Sequence, residues 1–109
     1  HIRDFDFIID DGSHNLKDIL VNFKLFFKKL KTGGFYVIED FKYPNYYERN
    51  KDIEHIFVDQ LLNNLKKKTV SVSNILTKED QNYLIKSIKF IEIFKGNLKN
   101  SDICFIEKK

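Results

Sequence analysis

The fold of this protein is decided by one stretch of sequence, FDFIIDDGSHNLKDILVNFKLFFKKLKTGGFYVIED, residues 5–40. The stretch begins with an apolar run, residues 5–9, that ends in the turn cluster Asp-Asp-Gly-Ser. A short run rich in Ile and Phe that ends in turn residues predicts a strand buried on both faces, as in parallel sheets.

A helix is predicted directly after this strand. Apolar side chains recur at spacings of three and four over residues 16–30, which is the pattern of an amphipathic helix. Asn15 can cap its N-terminus, and Gly33 with Gly34 is predicted to end it. A second buried strand follows at residues 35–38. Strand, helix and strand in such close succession predict a right-handed βαβ crossover with parallel strands.

The rest of the chain is predicted to add two helices and a hairpin. Residues 42–51 lack periodicity and contain the only Pro, so they are predicted to form a loop. Apolar spacing predicts a helix over residues 53–65, and Thr77 can cap a further short helix. Two apolar runs, residues 88–94 and 103–106, flank a turn and predict a β-hairpin.

Composition limits the classes to which the chain can belong. It has 109 residues, of which 42% are hydrophobic, so we expect one domain or part of one rather than a disordered chain. The net charge is +3 and Lys is interleaved with acids, which argues against a nucleic-acid partner. No apolar run reaches the ~18 residues of a membrane span, so no membrane association is expected.

Cysteine and methionine usage bears on location and completeness. The single cysteine, Cys104, excludes an internal disulfide, and its apolar neighbours predict a buried hydrophobe rather than a nucleophile. We therefore expect a reducing, cytoplasmic location. There is no Met, so His1 is not a natural start and we expect the chain to be a piece of a longer protein.

Acids follow both strands of the predicted crossover. Asp10 and Asp11 come directly after the first strand, and Glu39 and Asp40 follow the second. Ligands of open α/β sheets bind outside the carboxyl ends of the strands, and neighbouring strands lie ~4.8 Å apart. We therefore expect these carboxylates to converge on a hard divalent cation such as Mg²⁺.

A simpler interpretation of the same acids stays open. In this interpretation, Asp10 or Asp11 has the purely structural role of tying down the turn at Gly12, and Glu39 faces water. His14, three residues after Asp11, is a candidate general base because an imidazole titrates near neutral pH. The alternative is a partly exposed histidine in the turn that caps the helix.

The blocks IDDGSH (residues 9–14) and GGFYVIED (residues 33–40) resemble the macrocin/mycinamicin O-methyltransferase-like family. Members of that family are class I enzymes that use S-adenosylmethionine. The resemblance covers residues 5–41, about a third of the chain, and the terminal hairpin is similar too. It implies an α/β, Rossmann-like fold whose mixed, mostly parallel sheet ends in an antiparallel hairpin. The implied strand order is first, second, fourth, third, with only the last strand antiparallel.

The resemblance also implies roles for individual residues. Asp11, Glu39 and Asp40 would ligate Mg²⁺, and His14 would take the proton from a substrate hydroxyl. Asp10 would contribute to binding S-adenosylmethionine. The acceptor would be a small molecule with a hydroxyl group, such as a sugar or a natural product.

One feature of class I methyltransferases is absent from the sequence. They bind the cofactor mainly through a Gly-rich loop after their first strand, and no Gly-x-Gly pattern occurs here. Residues 1–109 are therefore expected to be the C-terminal half of such a domain, without its cofactor-binding half and with little activity alone. The open edge of the first strand would favour a homo-oligomer.

Two other functions stay open from the sequence. The chain could be a non-catalytic half-domain that binds a small ligand or a partner, or a sugar-modifying or hydroxylating enzyme on the same fold. Tyr43, Tyr46 and Tyr47, on the loop after the acids, could line an acceptor pocket or could pack on the domain.

Overall fold

A strand, a helix and a second strand open the chain, and a hairpin closes it. The computed structural model describes residues 5–13, 15–47, 50–98 and 101–109. In chain order the elements are β1 (Phe5–Asp10), α1 (Leu16–Phe26), β2 (Leu30–Glu39), α2 (Asn50–Ile53), α3 (Val58–Lys66), α4 (Lys78–Ser87), β3 (Ile88–Phe94) and β4 (Ile103–Lys108). Short 3₁₀ turns at Phe27–Lys29 and Tyr43–Tyr46 lie on either side of β2.

The strands form one mixed sheet in the order β1-β2-β4-β3. Strands β1 and β2 are parallel, whereas β4 is antiparallel to both of its neighbours, β2 and β3. Three strands therefore run in one direction and β4 runs in the other. This confirms the predicted strand order, the parallel pair and the terminal antiparallel hairpin.

One face of the sheet carries the hydrophobic core. Tyr36 of β2 is 1% exposed and packs against Phe23 and Phe27, with ring centroids 5.3 and 6.3 Å apart. Residues from β2, β3 and β4 join those of α1, α3 and α4 in a single buried cluster. Its sheet members are Leu30, Tyr36, Ile38, Ile91, Cys104 and Ile106.

The prediction that β1 is buried on both faces is wrong. Phe5, Phe7 and Ile9 are 43%, 49% and 58% exposed. Strand β1 lies at the edge of the sheet, and these side chains lie on the face opposite the core, where Phe7 contacts Phe35 at a centroid distance of 6.3 Å. An apolar run shows that a strand can be buried, but a second covering layer must be present to bury it.

The sequence predicted that Gly33 and Gly34 end the first helix, and this prediction is wrong. Helix α1 ends at Phe26, and both glycines lie inside β2. The pairing of β1 with β2 is irregular there, because Phe5 pairs with Leu30 while Phe7 pairs with Phe35. Gly33 has φ +82°, which only glycine adopts readily. The pair therefore forms an irregularity within the strand rather than a helix cap.

Replacing Gly34 with Ala is expected to lower the free energy of unfolding by about 1–3 kcal/mol. A Cβ atom at this position would lie 3.0 Å from the backbone oxygens of both Asp6 and Lys31, so two main-chain segments would have to move. Urea denaturation measures the loss. Gly12→Ala is the matched control, because its nearest contact would be an ordinary 3.6 Å to Asp10; an equal loss in both variants would contradict the explanation.

The helix predicted over residues 53–65 is broken in two. Helix α2 ends at Ile53 and α3 begins at Val58. Between them lies Glu54, which is 2% exposed. Its carboxylate accepts hydrogen bonds from the backbone N–H groups of Asn74 (2.6 Å) and Ile75 (3.1 Å) and from the hydroxyl of Ser73 (2.5 Å). These bonds to a distant loop outweigh the helical pattern of the local sequence.

Both predicted helix caps are confirmed. The Asn15 side chain accepts from the N–H of Lys17 at 3.1 Å and begins α1. Thr77 and Asp80 cap α4 reciprocally, with each side chain accepting from the other residue's backbone N–H. Helix α4 runs from Lys78, directly after the Thr77 cap, to Ser87.

Cys104 is buried, as its apolar neighbours predicted. It is 0% exposed, and burial raises the pKa of its thiol to about 12. The thiol is therefore protonated and shielded at neutral pH, which is the state of an unreactive cysteine. None of the helices in the described ranges has the length and apolar character needed to span a membrane.

Candidate functional site

The acids that follow β1 and β2 lie at the same edge of the sheet. Asp10 pairs with Ile38 in the parallel register, so the next residues, Asp11 and Glu39, stand at the same level. Neighbouring strands are ~4.8 Å apart, which brings the two backbones close at this point. Asp40 follows Glu39 directly. This is the carboxyl end of both parallel strands, where ligands of open α/β sheets bind.

Asp10 forms part of the turn that leaves β1. Its Oδ1 accepts from the N–H of Gly12 at 3.3 Å. The residue is half-buried on the core face of the sheet. Burial, and then the negative charge of Asp10, raise the pKa of the Tyr36 phenol well above its usual value. The hydrogen bond from Gly12 to Asp10 agrees with the simpler interpretation, in which an acid ties down the turn at Gly12. The role of Asp10 in binding the cofactor stays a prediction.

Asp40 has an unusual backbone conformation. Its φ is +53°, in the left-handed region that residues other than Gly rarely adopt and that Asp and Asn tolerate best. This conformation ends the alternation of β2 and turns the chain away from the strand direction. The next side chain, Phe41, is 0% exposed and anchors the turn in the protein. Such conformations cluster at functional sites, where the surrounding structure maintains them.

The turn before α1 is held by side-chain hydrogen bonds on both sides of position 14. The Ser13 hydroxyl donates to Asp18 at 2.7 Å and accepts from the N–H of Asn15 at 3.2 Å. The predicted general base, His14, lies outside the described residues. Its role therefore stays a prediction.

The acids match Mg²⁺ in their chemistry. Asp11, Glu39 and Asp40 supply only carboxylate oxygens, the ligands that Mg²⁺ prefers. Within residues 5–13, 15–47, 50–98 and 101–109, no three His, Cys, Asp or Glu side chains are close enough to hold a metal ion. The three carboxylates are thus of the ligand type that Mg²⁺ prefers, and they lie at one edge of the sheet. Their role as metal ligands stays a prediction.

An open cavity of about 660 Å³ adjoins Asp10 and Asp11, the acids at the end of β1. Its volume is in the range that encloses a small organic ligand. Apolar side chains of β1 and α1 form half of its lining, and Asp10, Asp11 and Gly12 form its polar end. The cavity can therefore take a ligand with an apolar body and a polar or cationic group.

The loop after the acids is tied to the rest of the protein at three points. Asn50 donates from its side chain to the Pro44 carbonyl at 2.7 Å, and Asn45 donates to Asp59 at 3.1 Å. Lys42 forms an ion pair with Asp102 at 3.0 Å. The side chains of Tyr43 and Tyr46 lie outside what the structure describes, and Tyr47 is half-buried.

Two features near this loop have no signal in the local sequence. Lys42 pairs with Asp102, a residue 60 positions along the chain, and Glu54 binds a loop 20 positions away. Neither partner could be chosen from spacing or composition.

Comparisons with known proteins agree with the fold. No family model matches the chain. L-olivosyl-oleandolide 3-O-methyltransferase of Streptomyces antibioticus is 56% identical over 36 residues, which are 33% of this chain and 9% of that protein. The chain thus spans a small fraction of this relative's length.

Two solved structures of MycE methyltransferase from the mycinamycin biosynthetic pathway are similar to nearly the whole chain. One is a complex with Mg, SAH and mycinamycin VI, with 24% identity; the other is a complex with Mg and SAH, with 25% identity. Each gives a TM-score of 0.64 and covers 95% of this chain but only 25% of the MycE chain. These matches confirm, over part of the chain, the resemblance to macrocin/mycinamicin-type O-methyltransferases and the partial methyltransferase fold.

Proposed function

We propose that this chain is part of an S-adenosylmethionine-dependent O-methyltransferase that requires Mg²⁺ and acts on a hydroxyl of a sugar or natural-product-like acceptor. The observation that carries the proposal is the pair of acid-terminated parallel strands, within a sheet of order β1-β2-β4-β3, at the edge where such folds bind ligands. The similarity to MycE, whose solved structures hold Mg and SAH, supports it.

Each residue of the site has a distinct proposed role. Asp11, Glu39 and Asp40 would hold the Mg²⁺ ion, which when bound lowers the pKa of an acceptor hydroxyl. His14 would accept the proton of that hydroxyl. Asp10, at the polar end of the open cavity, would contact the cationic donor, because a carboxylate attracts a sulfonium group.

The chain covers a quarter of the MycE chains, so the proposal assigns residues 1–109 to the metal- and acceptor-binding part of a methyltransferase domain. Methyl transfer requires the donor carbon to be held in line with the acceptor oxygen, and such positioning can supply several kcal/mol of the barrier. Residues 1–109 alone are therefore expected to bind the donor weakly. A version extended upstream should bind it more tightly.

Product analysis with an isotope-labelled methyl donor tests the proposal. The extended protein is incubated with labelled S-adenosylmethionine, a hydroxyl-bearing glycoside and Mg²⁺, and the label is expected in a new O-methyl group. A product that gains oxygen without label would instead indicate the hydroxylating alternative. Tight donor binding by residues 1–109 alone would contradict the proposed division of roles.

A non-catalytic ligand-binding half-domain is the second candidate. One observation favours it: the open cavity beside β1 combines apolar side chains with a polar end at Asp10, Asp11 and Gly12. Such a module would bind a small molecule in the open cavity beside β1 and would not transfer a methyl group. The same labelling experiment separates the two candidates.

A further inference from the structure

Asp102 is a buried charge immediately before β4. The residue is 7% exposed, and its Oδ2 lies 3.0 Å from the Lys42 ammonium group. Its Oδ1 accepts from the N–H of Gly96 at 3.4 Å. A buried carboxylate needs such partners, because removing a charge from water is costly unless the charge is compensated. The pair is thus more tightly constrained than the exposed pair of Lys31 and Asp6, whose side chains are 52% and 84% exposed at 3.3 Å.

The ion pair joins the end of β2 to the start of β4. Glu39 is the last paired residue of β2, and its partner Ile103 is the first paired residue of β4. Asp102 therefore directly precedes the paired part of β4, and Lys42 lies three residues after the paired part of β2. Asp40 and Phe41 lie between the last paired residue of β2 and the ion pair. The turn is thereby fixed at both ends, by strand pairing on one side and by the ion pair on the other.

The conformation of Asp40 needs this support. Aspartate tolerates φ +53° better than most residues, but the conformation is still strained and persists where surrounding contacts hold it. The buried Phe41 ring supplies one contact, and the Lys42–Asp102 pair prevents the following backbone from shifting. Without the pair, the turn could relax and move the two acids relative to Asp11.

We propose that Asp102 is a positioning residue that acts through Lys42 to hold the Glu39–Asp40 turn in its ligand-binding arrangement. The catalytic meaning of this role rests on the proposed function. The structural part, that Asp102 maintains the turn, does not depend on it. Asp102 contacts neither metal nor substrate in this scheme.

The test compares Asp102→Asn and Lys42→Met with Lys42→Arg, which keeps the charge, and with Lys31→Met, which breaks an exposed pair elsewhere. Amide hydrogen exchange of Asp40 and Phe41 is measured by NMR, and Mn²⁺ affinity is measured by calorimetry, both under conditions in which every variant is folded. Asp102→Asn and Lys42→Met are expected to speed exchange at both amides and to weaken Mn²⁺ binding by about 10-fold or more, as loss of a residue that orients metal ligands does. Lys42→Arg and Lys31→Met are expected to resemble the wild type.

The two readouts distinguish failure of this proposal from failure of the proposed function. Unchanged exchange at Asp40 and Phe41 in both disruptive variants would overturn the positioning role. If the wild type binds no Mn²⁺ but the amides exchange faster in the two disruptive variants, the positioning role is supported and the metal-dependent function is rejected. If Asp102→Asn does not fold, Lys42→Met decides the question by the same two measurements.

Discussion

The Asp11→Asn variant is expected to bind Mn²⁺ at least about 100-fold more weakly than the wild type, because loss of a residue that merely orients a ligand already costs 10–100-fold. Asn keeps the shape of the side chain but removes its negative charge, and hard divalent cations bind carboxylate oxygens far better than neutral amides in such sites. Isothermal calorimetry with Mn²⁺, and with Mg²⁺ as competitor, measures the change.

Glu79→Gln is the control for this experiment. Glu79 is exposed in the first turn of α4, and its neighbour Asp80 pairs with Lys24 in the last turn of α1, at the end of that helix away from the acid edge. The variant removes one negative charge without touching the proposed site, so its Mn²⁺ affinity should equal that of the wild type. Equal affinity for Asp11→Asn and wild type would remove Asp11 from the metal site.

The Glu54→Gln variant is expected to lose about 3 kcal/mol of unfolding free energy, since hydrogen bonds to a buried charged group contribute ~1.5–3 kcal/mol each and are not fully additive. The carboxylate accepts from three groups of residues 73–75 and from the N–H of His55 at 2.8 Å. Gln has one acceptor oxygen, and its NH₂ group would face donors. Urea denaturation followed by circular dichroism measures the loss.

Glu92→Gln provides the comparison for the buried glutamate. Glu92 is exposed on β3, where surface substitutions usually change stability by less than ~0.5 kcal/mol. Because both variants make the same chemical change, the difference between them reports the buried environment of Glu54. A Glu54→Gln variant as stable as Glu92→Gln would show that these hydrogen bonds do not hold the loop at residues 73–75.

Much of the fold could be predicted because its signals are local. The turn residues after β1, the cap at Asn15 and the reciprocal cap of Thr77 and Asp80 each involve groups within a few residues of one another. The parallel β1–β2 pair follows from the helix between the strands, which leaves little choice of topology. The position of β4 between β2 and β3 came from the family resemblance rather than from the pattern of residues.

The location of the candidate site could be predicted from the sequence, but the contacts that hold its residues in place could not. The acids after β1 and β2 had to meet at one edge once the strands were parallel, since the carboxyl ends of parallel strands coincide. The left-handed conformation of Asp40 and the ion pair that follows it had no counterpart in the local pattern. Sequence spacing gives the order of the acids along the chain but not the contacts that orient them.

The sequence by itself determined the strand-helix-strand order of the first 40 residues and the edge that carries the acids, but not where α1 ends and β2 begins. Tertiary structure decided where the local pattern was overruled: the glycine irregularity inside β2, the exposure of β1, and the break between α2 and α3 at Glu54. The physical reason is the same in each case. Periodicity and capping are short-range preferences of about a kcal/mol per residue. Three effects act through residues distant in sequence and outweigh these preferences: backbone crowding, the presence or absence of a covering layer, and a buried carboxylate with several donors.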